Sequence, residues 1–183
     1  MGKIKEQLPV KYFTAITCQP SISLQEVIEN IQTRFGKIDL QSSIFEFDGF
    51  TDYYKSEMGN NLNKTFVSFE CLAPPEILIE RKILTNKLEY ELSDSSTRKI
   101  NIDPGYVTEA KMILATTKDY SHRIYLGQGI FGDLHLKFEK KSFQPQFWTY
   151  PDYQQELSIK FFNEIRNIYK HQITGVQFET NNI

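Results

Sequence analysis

Three short runs place ionisable and hydroxyl side chains close together. Phe50-Thr51-Asp52-Tyr53-Tyr54 leads into Glu57-Met58-Gly59, Asn101-Ile102-Asp103-Pro104-Gly105-Tyr106 follows, and Lys118-Asp119-Tyr120-Ser121-His122-Arg123 is the third. Asp52, Glu57 and Asp103 suit general acid–base work or the holding of a cation. His122 exchanges protons near neutral pH, and the Arg123 guanidinium is a planar fork for a carboxylate or phosphate. The expected catalytic set is therefore Asp52, Glu57, Asp103 and His122. Tyr54, Tyr106, Lys118 and Arg123 form the expected substrate-binding set, with the lysine and arginine neutralising charge and the tyrosines orienting the substrate. Metal and cofactor use stay open. Each run also has a plain structural reading: a surface turn with rim tyrosines, an Asx-turn at Asp-Pro-Gly, and a solvated turn entering a strand.

Familiar chemical motifs are missing. The sequence has no GxxxxGK[ST] phosphate loop, HExxH, GxSxG or EF-hand loop. Gly127-Gln128-Gly129-Ile130-Phe131-Gly132 spells GxGxxG, but Asp133 to Phe138 alternates like a strand where a dinucleotide site needs a helix. A hairpin turn is expected there. His135 alternates with apolar residues and reads as packed. Trp148-Thr149-Tyr150-Pro151-Asp152-Tyr153 is either an aromatic lid or a clamp that pins a helix to the core.

Composition narrows the class. A chain of 183 residues with 40% hydrophobic and 24% charged residues resembles an ordinary globular protein. One α+β domain over 1–183 is expected, with 171–183 frayed. With 14 Phe and 10 Tyr, the core should be built from rings. A net charge of −2 argues against nucleic-acid binding or a polybasic membrane anchor. Residues 98–146 nevertheless carry 8 basic against 5 acidic side chains, a segment fit to attract an anion. Cys18 and Cys71 lie in strand-like runs without a CxxC partner and read as reduced core thiols of a cytoplasmic protein. The polar stretch from Met1 to Gln7 does not read as an export signal, and no apolar run approaches the roughly 20 residues of a membrane span.

The elements that must position these side chains follow from periodicity. Residues 10–18 predict a buried strand. Ser23 with Glu26 opens a helix carrying Leu24, Val27, Ile28, Ile31 and Phe35, which Gly36 ends. Residues 43–48 and 65–72 alternate as strands. Pro74-Pro75 starts a helix with a stripe of Ile77, Leu84, Leu88 and Leu92. Residues 98–102 predict a short strand that stops at a turn, Asp103-Pro104-Gly105. Between 108 and 118 a helix capped by Thr108 competes with a strand, and the helix is favoured. Strands at 123–126, 130–138 and 142–146 and a final helix from Pro151 complete the chain. This order predicts an α+β fold: a ferredoxin-like β-α-β-β-α-β core, extended by an antiparallel meander and a C-terminal helix.

The sequence resembles the bacterial family called domain of unknown function 4416. The resemblance rests on Phe47, Thr51-Asp52-Tyr53-Tyr54, Glu57-Met58-Gly59, Asp103-Pro104-Gly105-Tyr106, Lys111, Leu114-Ala115-Thr116-Thr117-Lys118-Asp119, His122-Arg123-Ile124-Tyr125-Leu126 and Trp148 to Tyr153. It covers nearly the whole chain and implies a free-standing cytoplasmic bacterial protein of unassigned activity. Members sometimes carry a GTP-binding label, which the missing phosphate loop does not justify here. The family pattern often has Ala at the place of Gly132, a further weakness of the GxGxxG reading. It assigns no catalytic residues.

Two functional expectations follow. The first is a small enzyme or ligand-binding protein acting on an anionic, phosphate-bearing small molecule. The second is a non-catalytic interaction or homo-oligomerising module anchored by rings at 147–153. Convergence of the three runs on one pocket separates them.

Overall fold

The computed structural model describes residues 2–3, 6–51, 53–93 and 97–180; Asp52 lies outside them. In chain order the elements are β1 (Val10–Cys18), α1 (Leu24–Phe35), β2 (Ile38–Gln41), β3 (Phe45–Glu46), α2 (Lys55–Met58) and β4 (Asn63–Ala73). A 3-10 turn (Pro75–Ile77) leads into α3 (Leu78–Glu91). Then come β5 (Ile100–Val107), β6 (Lys111–Thr116), β7 (Arg123–Gly127), β8 (Ile130–Glu139), β9 (Ser142–Pro145), α4 (Pro151–Gln154) and α5 (Glu156–Thr180).

The strands form one nine-stranded sheet in the order β2-β4-β1-β5-β6-β8-β7, with β3 on β4 and β9 on β8. Every pairing is antiparallel. β1 is buried along its whole length because β4 and β5 flank it and helices cover both faces. Its alternation sorts the core. Tyr12, Ile16 and Cys18 pack with Val27, Ile28 and Ile31 of α1 and with Leu78 and Leu88 of α3. Phe13 and Ala15 face the other way, toward Phe161, Phe162 and Ile165 of α5. The expected ring core is found there: Phe66 lies 5.2 Å from both Tyr153 and Phe162 and 5.5 Å from Phe161. Each such buried ring stabilises the fold by about 1.5–3 kcal/mol.

α1 starts and stops as its sequence predicts. Ser23 Oγ accepts the Glu26 amide at 3.3 Å, and Gly36 ends the helix at φ 103°. The GxGxxG run is a hairpin, with Gln128 and Gly129 both at positive φ between β7 and β8.

Four local expectations are corrected. Residues 108–118 contain strand β6, because Met112 and Leu114 alternate into the α5-side core. Asp103-Pro104-Gly105 is no turn; β5 runs straight through it. The strand expected at 43–48 is reduced to the two-residue β3, and β2 at Ile38–Gln41, just upstream, pairs with β4 beside it. α3 is rotated from its expected phase. It buries Arg81, Lys82, Thr85 and Glu89 with Leu78 and Leu88, and leaves Leu84 43% exposed. The site geometry below supplies the reason for that rotation.

Gly105 is required for lack of space. A Cβ there would lie 2.5 Å from both the Phe13 ring and the Ile113 carbonyl oxygen. Gly105→Ala is expected to lower stability by roughly 1–3 kcal/mol through overpacking, read from urea unfolding. Ser23→Ala should cost about 1 kcal/mol by the same measurement, because it strips the α1 cap. Unchanged midpoints would refute these two assignments.

Candidate functional site

The sheet splits beside β5. β1 pairs with β5 from Lys11 to Cys18, but β6 joins only at Gly105, Tyr106 and Val107. Pro104 has no amide to offer, and from Leu114 onward β6 turns to β8. The Ile100–Pro104 edge is thereby left without a partner strand. Buried backbone groups must be satisfied, and α3, lying behind the gap, does so with side chains. The Ile102 amide donates to Glu89 Oε1 at 2.6 Å, and its carbonyl accepts from Lys82 Nζ at 3.2 Å. α3 therefore buries Lys82 and Glu89 in preference to Leu84.

These side chains close a ring of polar contacts. Lys82 Nζ lies 2.8 Å from Asp103 Oδ1 and 3.9 Å from Glu89 Oε1. Asn101 Nδ2 donates to Asp103 Oδ2 at 2.6 Å. Arg98 Nη2 donates to Asn101 Oδ1 and, at 2.7 Å, to Glu89 Oε2. The two carboxyls are pushed apart. Burial raises that of Asp103, but the Lys82 ion pair and the Asn101 hydrogen bond outweigh it and hold it at about 2. At Glu89 burial prevails over Lys82 and Arg98, so its carboxyl is raised.

Above this ring lies a cleft of two lobes. The polar lobe, about 240 Å³, includes Lys82, Asn86, Glu89, Thr116 and Thr117. An aromatic lobe of about 210 Å³ includes Phe47, Tyr53, Tyr120 and Pro151. Tyr54, Asp103, Lys118 and Tyr150 line both. The loop bearing Tyr53 and Tyr54 is tied down by Asp48, which accepts the Leu62 amide at 3.0 Å, and by the small core of Phe47, Met58 and Leu62. Lys118 Nζ lies 4.1 Å from the Tyr53 ring centroid and donates to its hydroxyl. Lys64, buried among Phe47, Phe66 and Tyr153, pairs with Asp152 at 2.5 Å on the lobe wall.

A second layer holds these walls. Arg123 donates to the Tyr150 hydroxyl at 2.7 Å, the Lys118 carbonyl at 3.0 Å and Asp133 Oδ2 at 3.0 Å. His135 Nε2 accepts the Tyr150 amide at 3.1 Å, so the proton sits on Nδ1, which faces Asp133 Oδ1 at 3.2 Å. Burial pushes the Asp133 carboxyl up, yet His135 and Arg123 hold it below the ordinary carboxylate range.

Members of all three sequence runs meet at this cleft: Tyr53 and Tyr54, then Asn101 and Asp103, then Lys118 and Tyr120. Of the expected site residues, Tyr54, Asp103 and Lys118 line it. Arg123 stands behind Tyr150 and Lys118. His122 lines neither lobe; its ring stacks on Trp148 at 4.9 Å and its Nε2 meets Asp133 at 3.2 Å. Glu57 is exposed, 3.5 Å from Arg98. Tyr106 lies on the opposite face, edge-on to Tyr12 at 6.0 Å. Asp52 falls outside the described residues. Tyr150 and Asp152 come from the run read as an aromatic lid or a clamp, whereas Lys64, Lys82, Glu89 and Arg98 were not anticipated. The one available signal was Arg81, Lys82, Thr85 and Glu89 recurring at helical spacing. Of the rings at 147–153, Tyr153 is buried, Trp148 donates to the Leu134 carbonyl, and Phe147 is fully exposed.

Asp103→Asn tests the polar ring through pH. The folded carboxyl lies at about 2 against an ordinary 3.8, so its stabilisation is present above that ordinary value and is lost as pH falls through the window between them. The variant should be less stable by about 2 kcal/mol near neutral pH, with the gap shrinking on acidification. A gap independent of pH would overturn the assignment.

No curated protein and no solved structure matches the chain. A family model matches residues 8–169, nearly the whole sequence, and the chain thus belongs to the family described as a domain of unknown function, DUF4416.

Proposed function

We propose that the split-sheet cleft binds a small anionic, phosphate-bearing molecule and that the protein is an enzyme acting on it. One observation carries this reading. The cleft gathers the cations Lys64, Lys82, Arg98 and Lys118 against the carboxyls of Glu89, Asp103 and Asp152. Lys64, Lys82 and Arg98 are each matched to an acid; Lys118 has no acid partner among the described residues. Among the described residues this lysine therefore supplies charge beyond the matched pairs, where both lobes meet beside the hydroxyls of Tyr54, Thr116 and Tyr150.

Two carboxyls driven in opposite directions supply the rest. Asp103 is a fixed anion that keeps Lys82 in place. Glu89, with its raised carboxyl, is the proton-handling group. This pairing suits hydrolysis of a phosphate or other ester, where proton transfer and charge stabilisation are the protein's contributions. The strand order β2-β4-β1-β5, with α1 and α3 on one face, supports reading the first part of the chain as ferredoxin-like. Cys18 is buried as expected of a core thiol and Cys71 is exposed instead; both are free and suit a reducing, cytoplasmic compartment.

Inorganic phosphate should raise the melting temperature of the wild-type chain at low ionic strength. Lys118→Met should remove most of that rise, whereas Lys141→Met, in the distant β8–β9 turn, should not. Equal responses of the two variants would refute the site, and no response of the wild type would refute the anion reading.

A further inference from the structure

The two lobes differ in kind, and their difference specifies a ligand. Neither cavity alone reaches the roughly 300 Å³ of an ordinary small-molecule site, but the two adjoin and share Tyr54, Asp103, Lys118 and Tyr150 as lining. One molecule spanning both is the occupant that fits.

The aromatic lobe is built from rings that the core does not use. Tyr53 is 51%, Tyr120 53% and Tyr150 37% exposed. Single exposed rings are ordinary on a protein surface, but here all three turn toward one cavity whose remaining wall includes Phe47 and Pro151. Each is held from the side or behind. Tyr53 stands edge-on to Tyr54 at 4.9 Å, the Arg123 guanidinium covers Tyr120 at 4.5 Å, and Tyr150 takes a hydrogen bond from Arg123. Such pre-positioned rings offer stacking or edge contacts to a planar partner at low entropic cost.

Charge is distributed differently. In the polar lobe, Lys82 and Arg98 are matched by Asp103 and Glu89, so this lobe presents hydrogen-bonding groups without net charge. In the aromatic lobe Lys64 is matched by Asp152. Lys118, which has no acid partner among the described residues, lies at the junction with its Nζ 4.1 Å from the centroid of the Tyr53 ring. A ligand that satisfies both lobes therefore carries its anionic group beside Lys118 and a planar ring on the aromatic side.

Resting on the anion-binding reading above, we infer that the ligand is a ring-bearing anion: a planar aromatic or heteroaromatic ring joined directly to a phosphate-like group. The ring fills the lobe of Tyr53, Tyr120 and Tyr150, and the anionic group is seated at Lys118.

Isothermal titration of the full chain with phenyl phosphate, inorganic phosphate and phenol tests this. Phenyl phosphate should bind at least about tenfold more tightly than inorganic phosphate, with phenol weaker than both. Tyr120→Ala should erase that preference. Lys118→Met should weaken both anions. Phosphate binding without any preference for the phenyl ester would overturn this inference and leave the anion site standing. A preference that survives Tyr120→Ala would overturn the placement of the ring. Phenyl phosphate binding that survives Lys118→Met would show ring capture alone and overturn the inference. Failure of both anions to bind would overturn the inference together with the reading on which it rests.

Discussion

The contact on which this molecule turns is a carboxylate and an ammonium group replacing a missing strand. Where β6 leaves β5, the Ile102 amide and carbonyl are completed by Glu89 and Lys82 from α3. An unsatisfied buried backbone group costs on the order of 1–3 kcal/mol. Filling the gap with apolar side chains would leave that cost standing. Filling it with charged ones imposes another requirement, because the charges must be matched, and the ring through Asp103, Asn101 and Arg98 matches them. The cleft is thus a by-product of solving a hydrogen-bond problem in the sheet, and its chemistry is the residue of that solution.

The same logic recurs nearby. Lys64 with Asp152, and Arg123 with Asp133 and His135, are buried polar sets in which every charge has a partner. Such sets contribute little net stability against an apolar core, yet removing one partner strands the other and is costly. The Lys82 ring and the Lys64–Asp152 pair line one cleft and the Arg123 set stands behind its wall, while away from the cleft an apolar core holds a guanidinium, Arg81, covered by the rings of Tyr12, Phe35 and Phe69. The concentration of matched charge on one side marks where geometry is being held rather than volume filled.

How much of this could be read from the chain follows from which signals are local. β1, α1 with its Ser23 cap, and the β7–β8 hairpin depend on periodicity, caps and turns, and were legible. The functional reading required Asp52, Asp103 and His122 to meet; Asp103 lines the cleft, His122 does not, Asp52 lies outside the described residues, and Tyr53 and Lys118 of the same runs join Asp103 instead. Asp103-Pro104-Gly105 looks like a turn, because nothing local shows that Phe13 will lie across Gly105 or that β6 will stop short of Pro104. α3 was misphased for the same reason. Leucines ordinarily mark the buried face, and only the tertiary gap at Ile102 turns Lys82 and Glu89 inward. His122 and Tyr106 have suitable chemistry, but strand alternation and the Trp148 stack direct them elsewhere.

The seam between β5 and β6 also has a mechanical consequence. Only the pairs at Gly105, Tyr106 and Val107 join the half-sheet β2-β4-β1-β5 to the half-sheet β6-β8-β7. A sheet bends most readily along the line with the fewest cross-links. What the ladder lacks at that line the helices supply: α3 touches both β5 and β6, and α5 packs on β1, β4, β5 and β9. The two half-sheets are thus held as one body by a shared apolar core, with Phe13 and Phe66 on one side of the seam and Met112, Leu114 and Leu136 on the other.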